Sequence, residues 1–378
     1  MISDPPQTLR ASLDVLQQKA RERTVKTQTV EYDLDTLTKR IDRNSIKLDP
    51  DYQRRHRWPA ETSSRLIESL ILNIPIPVIF ISQDIDVDSE VGDDTSRYTV
   101  IDGQQRLSAI HDYLRNRFAL EGLKVLPELN GIFYKQLPPF LIRRLEERTI
   151  RCMRIDSTVD AQVKFDIFER LNTGAVKLEA QELRNATARG PFNDLIKGLA
   201  ADSDFRSLIQ IDLERPESNP KVQKMEDAEL VLRFFALRQG RYKELKKGFR
   251  DFLTSSQIEF NRLSEQSLKL FGYDFRCCME FLCHSGVPAP FSKWRFDANK
   301  PKKMSNFNAA VFDAVAVGIS ETFSSDFLTS TPAVAAARLQ DFQVLFKDSE
   351  FFSSVSGSVN DSAKVSHRID AMIAYLKK

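Results

Sequence analysis

The stretch YTVIDGQQRLSAIHDYL, Tyr98 to Leu114, sets a strand directly against a helix. Tyr98, Thr99, Val100 and Ile101 have strand character. Leu107, Ile110, Leu114 and Phe118 then recur at i, i+3, i+7 and i+11, which predicts a helix over 104–118. Between them lies Asp102-Gly103-Gln104-Gln105-Arg106. Arg106 falls in a first helical turn, where the helix dipole disfavours a cation. Gly103 lets a ligand come close to the backbone. A bound anion would explain the cation, because free N–H groups at a helix start suit phosphate and an arginine strengthens them. The same residues also read as a plain turn, with Asp102 capping the helix and the amides and Arg106 solvated.

Outward from this turn, the first half of the chain mixes strands and helices. Residues 8–20 read as a helix, 28–33 as a strand and 34–42 as a helix. PAETSSRLIESLILN (59–73) is amphipathic, with Pro59 suited to its first turn. PVIFI (77–81) reads as a buried strand, followed by an acidic loop, QDIDVDSEVGDDTS. The strand 97–101 precedes the helix 104–118. TIRCMRID (149–156) is a further strand, and DAQVKFDIFERL (160–171) a helix ended by Gly174. Beyond about residue 190 the apolar spacing is almost wholly helical, as in MEDAELVLRFFALR, NFNAAVFDAVAVGIS and VSHRIDAMIAYL. The expected fold is therefore α+β, an α/β N-terminal domain followed by an all-α domain. The expected boundaries are an N-terminal helical arm over 1–27, a mixed domain over 28–190 and a helical domain over 191–378.

Composition narrows the function classes. The chain has 378 residues, enough for two or three domains, and its charged and hydrophobic fractions are those of a soluble protein. The longest apolar run is broken by Pro75 and Pro77 and is too short for a bilayer. The N-terminus lacks the pattern of a signal peptide. Net charge is +2, so nucleic-acid contact would come from local runs such as Arg54 to Arg57, Lys243 to Arg250 and Lys300 to Lys303. The four cysteines lack zinc-site pairing and read as core thiols, which suits a reducing cytoplasm. Walker, dinucleotide-binding, zincin and serine-hydrolase signatures are absent, and the four histidines lack an HNH-nuclease pattern.

The DGQQR pentapeptide and its companions resemble a known family. PDYQRRHRWPAETSSRLIESLILNIPIPVIFI (50–81), YTVIDGQQRLSAIHDYL and FERLNTGAVKLEAQELRNA (168–186) are similar, in order, to three blocks of the DGQQR family. That family includes the N-terminal domain of GmrSD-type restriction endonucleases. Tyr52, Gln53, Arg54 and Trp58 match the first block. Arg170, Asn172, Thr173, Gly174, Gln181, Glu182, Arg184 and Asn185 match the third. Weaker helical blocks extend the resemblance over roughly residues 28–320. It implies a ParB/sulfiredoxin-like fold and a nucleotide-binding, NTP-hydrolysing component of a prokaryotic anti-phage system that restricts modified DNA. Because the C-terminal half carries no HNH pattern, it resembles a GmrS-like stand-alone subunit with a nuclease partner in trans.

The resemblance also implies a site. Asp102, Gln104, Gln105 and Arg106 would be catalytic, with Asp102 on Mg²⁺ or Mn²⁺ and Arg106 on phosphate. Gly103, Arg106, Gln53, Arg54 and Asn172 would bind the nucleoside triphosphate. Expected partners are nucleotide, modified phage DNA and the nuclease, with no membrane and with oligomerisation left open. Two alternatives stand beside this: a ParB-like nucleotide-dependent DNA switch without turnover, and a directly acting ParB-like nickase.

Overall fold

The computed structural model describes residues 26–48, 58–83, 98–156, 163, 167, 170, 179–246, 248–297 and 300–378. The helix expected over 8–20 lies outside the described residues, as do nearly all of the acidic loop and most of the helix expected over 160–171. The chain divides into two compact units, Met1–Lys177 and Leu178–Lys378.

The N-terminal unit is built on a mixed five-stranded sheet. Its strands are β1 (Thr27–Asp33), β2 (Ile46–Lys47), β3 (Ile79–Gln83), β4 (Tyr98–Asp102) and β5 (Thr149–Ile155), in the order β1-β5-β3-β4-β2. β5 runs parallel to β3, and β2 parallel to β4; the β1–β5 and β3–β4 pairs are antiparallel. Among the described residues the helices that accompany it include α1 (Leu34–Asp42), α2 (Ala60–Ile71), α3 (Gln104–Leu114) and α4 (Pro139–Glu146). Their apolar stripes bury Leu34, Leu37, Ile67, Leu70, Leu107, Ile110 and Leu145 against Ile79, Ile81 and Cys152 of the sheet. α3 stops at Leu114, short of the expected 118, because Asn116 takes a left-handed conformation with φ +62°. α2 also organises the chain that follows α3: Glu68 Oε1 accepts from the Val125 and Leu126 amides at 2.9 and 2.8 Å.

The C-terminal unit is helical. It includes α5 (Ala180–Thr187), α6 (Pro191–Ala200), α7 (Glu226–Leu237), α8 (Phe249–Phe260), α9 (Glu265–His284) and α10 (Ser362–Leu376). α5 groups with this unit, although the boundary read from the sequence, at 190, lies beyond it. The cause is Arg184, buried among Gln181 Oε1 (2.9 Å), Glu229 Oε2 (3.0 Å) and Thr254 Oγ1 (3.2 Å). Phenylalanines fill the core, with Phe235 stacked on Phe271 and Phe234 edge-on to Phe275. One feature departs from the all-helical expectation. β6 (Lys293–Asp297) and β7 (Lys300–Ser305) form an antiparallel pair. Trp294 and Phe296 alternate with Arg295 and Asp297, a period-2 pattern that packs one face on the core.

A buried ionic knot joins the helices of this unit. Asp313, fully buried, opens a π-helical turn over Asp313–Val317. Its carboxylate accepts from Arg233 Nε (2.9 Å) and Nη2 (2.5 Å) of α7 and from Arg368 Nη2 (2.5 Å) of α10. Gly318 follows, where an added Cβ would lie 2.5 Å from Met372 Cγ, so glycine lets α10 approach. Removing the shared carboxylate would strand two guanidinium groups in the core. We expect Asp313→Ala to cost about 3–5 kcal/mol. Urea unfolding would check this, and a loss below about 1 kcal/mol would show the knot to be incidental.

Candidate functional site

The DGQQR turn grows from an irregularity in the sheet. β3 and β4 pair Phe80 with Asp102 and Ile81 with Val100, so the register shifts there and β4 carries one residue more. Such bulges re-aim the side chains beside them. Asp102 thus closes β4 with its side chain 39% exposed. Gly103 then takes φ +97° and forms the N-cap of α3. A Cβ there would sit 2.9 Å from Ile79 Cγ1, so both the backbone angle and the space require glycine. No side chain caps this helix start: Asp102 has a different partner.

That partner is Arg106. Its Nη2 donates to Asp102 Oδ2 at 2.6 Å, and Nη1 donates to the Pro77 carbonyl and, at 3.5 Å, to that of Val78. Its side chain is only 11% exposed. The cation in the first turn is therefore offset by a carboxylate one turn back and by carbonyls at the entry to β3. Arg106 has five N–H donors, so these contacts leave Nε and part of Nη2 for another acceptor. Asp102 keeps Oδ1 beyond the ion pair.

The two glutamines diverge. Gln104 is buried, and its carbonyl accepts from Ser108 Oγ at 2.8 Å. Gln105 turns toward α2, where its Oε1 accepts from the Trp58 amide at 3.1 Å. Its Nε2 is buried and has no acceptor among the described residues. This amide borders a cleft of about 240 Å³ whose lining includes Trp58, Ser63, Gln105, Ser108, Asp112 and Phe118. The cleft is smaller than the roughly 300–1,000 Å³ that encloses a whole drug-sized ligand, so it would take only part of a ligand of that size. Gln53, Arg54, Arg57 and Asn172 lie outside the described residues. Arg170 is exposed.

The sequence reading missed the Trp58 amide, the Pro77 carbonyl and the polar side of α3. Gln105, Ser108, Ala109 and Asp112 recur at i, i+3, i+4 and i+7, which marks one helix face, and they line the cleft together. It also missed a brace on the same helix. Asp42 of α1 meets His111 Nε2 at 2.8 Å and pairs with Arg115. The Arg115 guanidinium, and after it His111, hold the Asp42 carboxyl below its ordinary value.

Among the described residues no group of three or more His, Cys, Asp or Glu side chains could hold a metal ion. One carboxylate with one free oxygen nonetheless fits Mg²⁺, which is usually held by one or two carboxylates together with substrate phosphates. No helix of the described residues is long and apolar enough to cross a membrane. The cysteines are free thiols; Cys152, Cys277 and Cys278 are buried as expected, whereas Cys283 is exposed.

Residues 34–188 match the family model described as GmrSD restriction endonuclease, N-terminal domain. This part of the chain is similar to that domain. The GmrSD N-terminal domain match begins at α1, contains the bulge, the DGQQR turn and the cleft, and ends just after α5. No curated protein matches the chain.

Two outcomes test the geometry. Gly103→Val should destabilise the N-terminal unit by about 1–3 kcal/mol, through its left-handed φ and its contact with Ile79; thermal unfolding would show it. For Asp42 the folded pKa is lowered, so its stabilisation is fully present above the ordinary carboxylate pKa of about 3.9 and is lost as pH falls through the lower folded value. Asp42→Asn should therefore lower stability at neutral pH and flatten the acid limb of the stability–pH curve. An unchanged acid limb would count against the brace.

Proposed function

We propose that this chain is the nucleotide-binding, NTP-hydrolysing component of a prokaryotic anti-phage system that restricts modified DNA, gating cleavage by a nuclease partner in trans. The family match supports a restriction-system role. The observation that carries the nucleotide reading is the unpartnered, buried Gln105 Nε2 at the edge of the cleft, on the same first turn of α3 as Arg106. A buried donor without an acceptor costs roughly 1–3 kcal/mol, which a ligand oxygen would recover. The first-turn amides of α3 and the spare N–H groups of Arg106 would hold phosphate beside it. Asp102 Oδ1 would hold Mg²⁺ or Mn²⁺ carried in by the nucleotide, a cation that neutralises phosphate charge. Arg106 holds the Asp102 carboxylate in place through Oδ2. We place the protein in the cytoplasm, where its free thiols stay reduced.

One observation favours a second reading. The only carboxylate of the motif already has Oδ2 engaged by Arg106, which leaves it one oxygen and no dedicated general-base role. A ParB-like switch that binds nucleotide and DNA without turnover fits that pairing.

Nucleotide binding and hydrolysis by the purified chain, with Mg²⁺ and with or without modified duplex DNA, separate the readings. Gln105→Ala should weaken NTP binding about tenfold, the loss of one hydrogen bond of about 1.4 kcal/mol. Asp102→Ala should reduce turnover more than binding. Binding without turnover would favour the switch, and absence of NTP binding under all these conditions would sink both readings.

A further inference from the structure

The geometry points to the β6–β7 ribbon of the C-terminal unit as a docking surface for the phosphate backbone of duplex DNA. This rests on the DNA-restriction reading above and names the surface that would meet the DNA.

Charge is the first observation. From Lys293 to Ser305 the ribbon carries Lys293, Arg295, Lys300, Lys302 and Lys303 against the single carboxylate of Asp297. That is a local charge of +4 in a chain whose net charge is +2, so the remainder of the chain sums to −2. Arg295, Lys300, Lys302 and Lys303 are exposed. Arg295 reaches Asp297 only at 3.9 Å, and among the described residues Lys300, Lys302 and Lys303 enter no ion pair.

The register is the second observation. Arg295 lies directly opposite Lys302. Like charges paired across strands oppose the fold, so nothing in the ribbon's own stability calls for them. A polyanion lying along that face would turn the repulsion into attraction. The two-residue spacing of Lys300 and Lys302 sets their side chains on one face about 6.8 Å apart.

Anchoring is the third. Trp294 and Phe296 pack against the helical core. Lys347 lies over the Phe296 ring at 4.8 Å and Lys293 over the Phe352 ring at 4.6 Å. Lys293 Nζ donates to Ser356 Oγ at 2.5 Å, and Ser292 Oγ donates to the Asn306 carbonyl at 2.8 Å. The cations thus stand on a held scaffold, which lessens the ordering cost of binding. A two-stranded ribbon also fits the major groove of B-DNA, about 12 Å wide. Lysine-rich contact of this kind positions the duplex without reading its sequence.

The test uses the full chain and a fluorescein-labelled 30-base-pair duplex, read by anisotropy across a salt series. The variant is the triple Arg295→Ser, Lys300→Ser, Lys302→Ser. Loss of three phosphate contacts should weaken binding roughly a hundredfold at about 0.15 M salt and lower the log–log salt slope by about 2.7. The melting temperature should stay level or rise, since a repulsive pair has gone, and nucleotide binding should be unchanged. Duplex affinity within twofold of wild type, with the same slope, would overturn the ribbon while leaving the restriction reading standing. A wild-type chain that binds no duplex at any salt would overturn both. Binding of phosphatidylglycerol vesicles that is lost in the variant, with duplex affinity unaltered, would assign the ribbon to a lipid surface instead and overturn the DNA proposal.

Discussion

The Arg106 guanidinium fastens three parts of the N-terminal unit at one point. It holds the carboxylate that ends β4, the carbonyls that lead into β3 and the helix that begins between them. An arginine in a first helical turn works against the helix dipole. Here the adjacent carboxylate and two carbonyls reverse that balance. The sheet bulge, the left-handed glycine and the direct strand-to-helix passage all meet at this clamp. The site is therefore set before any ligand arrives, and an anion entering it must share Arg106 with Asp102.

The C-terminal unit solves the opposite problem. Three of its guanidinium groups, those of Arg184, Arg233 and Arg368, lie in the interior, and one carboxylate, that of Asp313, serves two of them. Backbone carbonyls of Ser354 and Val359 take up further donors of Arg368. Such a knot is specific because few arrangements satisfy it, whereas the phenylalanine core around it could repack in many ways. On the outside the same unit leaves its ribbon cations without interior partners. The buried guanidinium groups are matched by a carboxylate and, among the described residues, the exposed lysines of the ribbon are not, and that contrast separates scaffold from contact surface.

Much of the architecture was legible in the sequence, for identifiable reasons. Strands β1, β3, β4 and β5 show apolar runs or alternation bounded by turn residues, and α1, α2 and α3 show clear 3.6-residue spacing. β2 is two residues long, too short to leave a pattern. The β6–β7 ribbon was hidden because its lysines and Pro301 leave no apolar alternation on β7, and only Trp294 and Phe296 signal a face. At the site, the motif announced the Asp102–Arg106 turn but not its wiring. Which carbonyl an arginine reaches depends on the return of the chain at Pro77, a long-range fact that no local spacing encodes. The pairing of Gln105 with the Trp58 amide is of the same kind, as is the brace from Asp42 to His111.

The chain holds two tryptophans, and the fold assigns one to each unit. Trp58 borders the cleft beside Gln105, and Trp294 lies on the basic ribbon. Indole emission responds to local polarity and to nearby quenchers, so each ring is a built-in optical probe of a different surface. Trp294→Phe would leave a spectrum from the cleft alone, and Trp58→Phe one from the ribbon alone. Ligand arrival at either unit could then be followed in solution without attaching a dye, and the order of the two events read from their separate time courses.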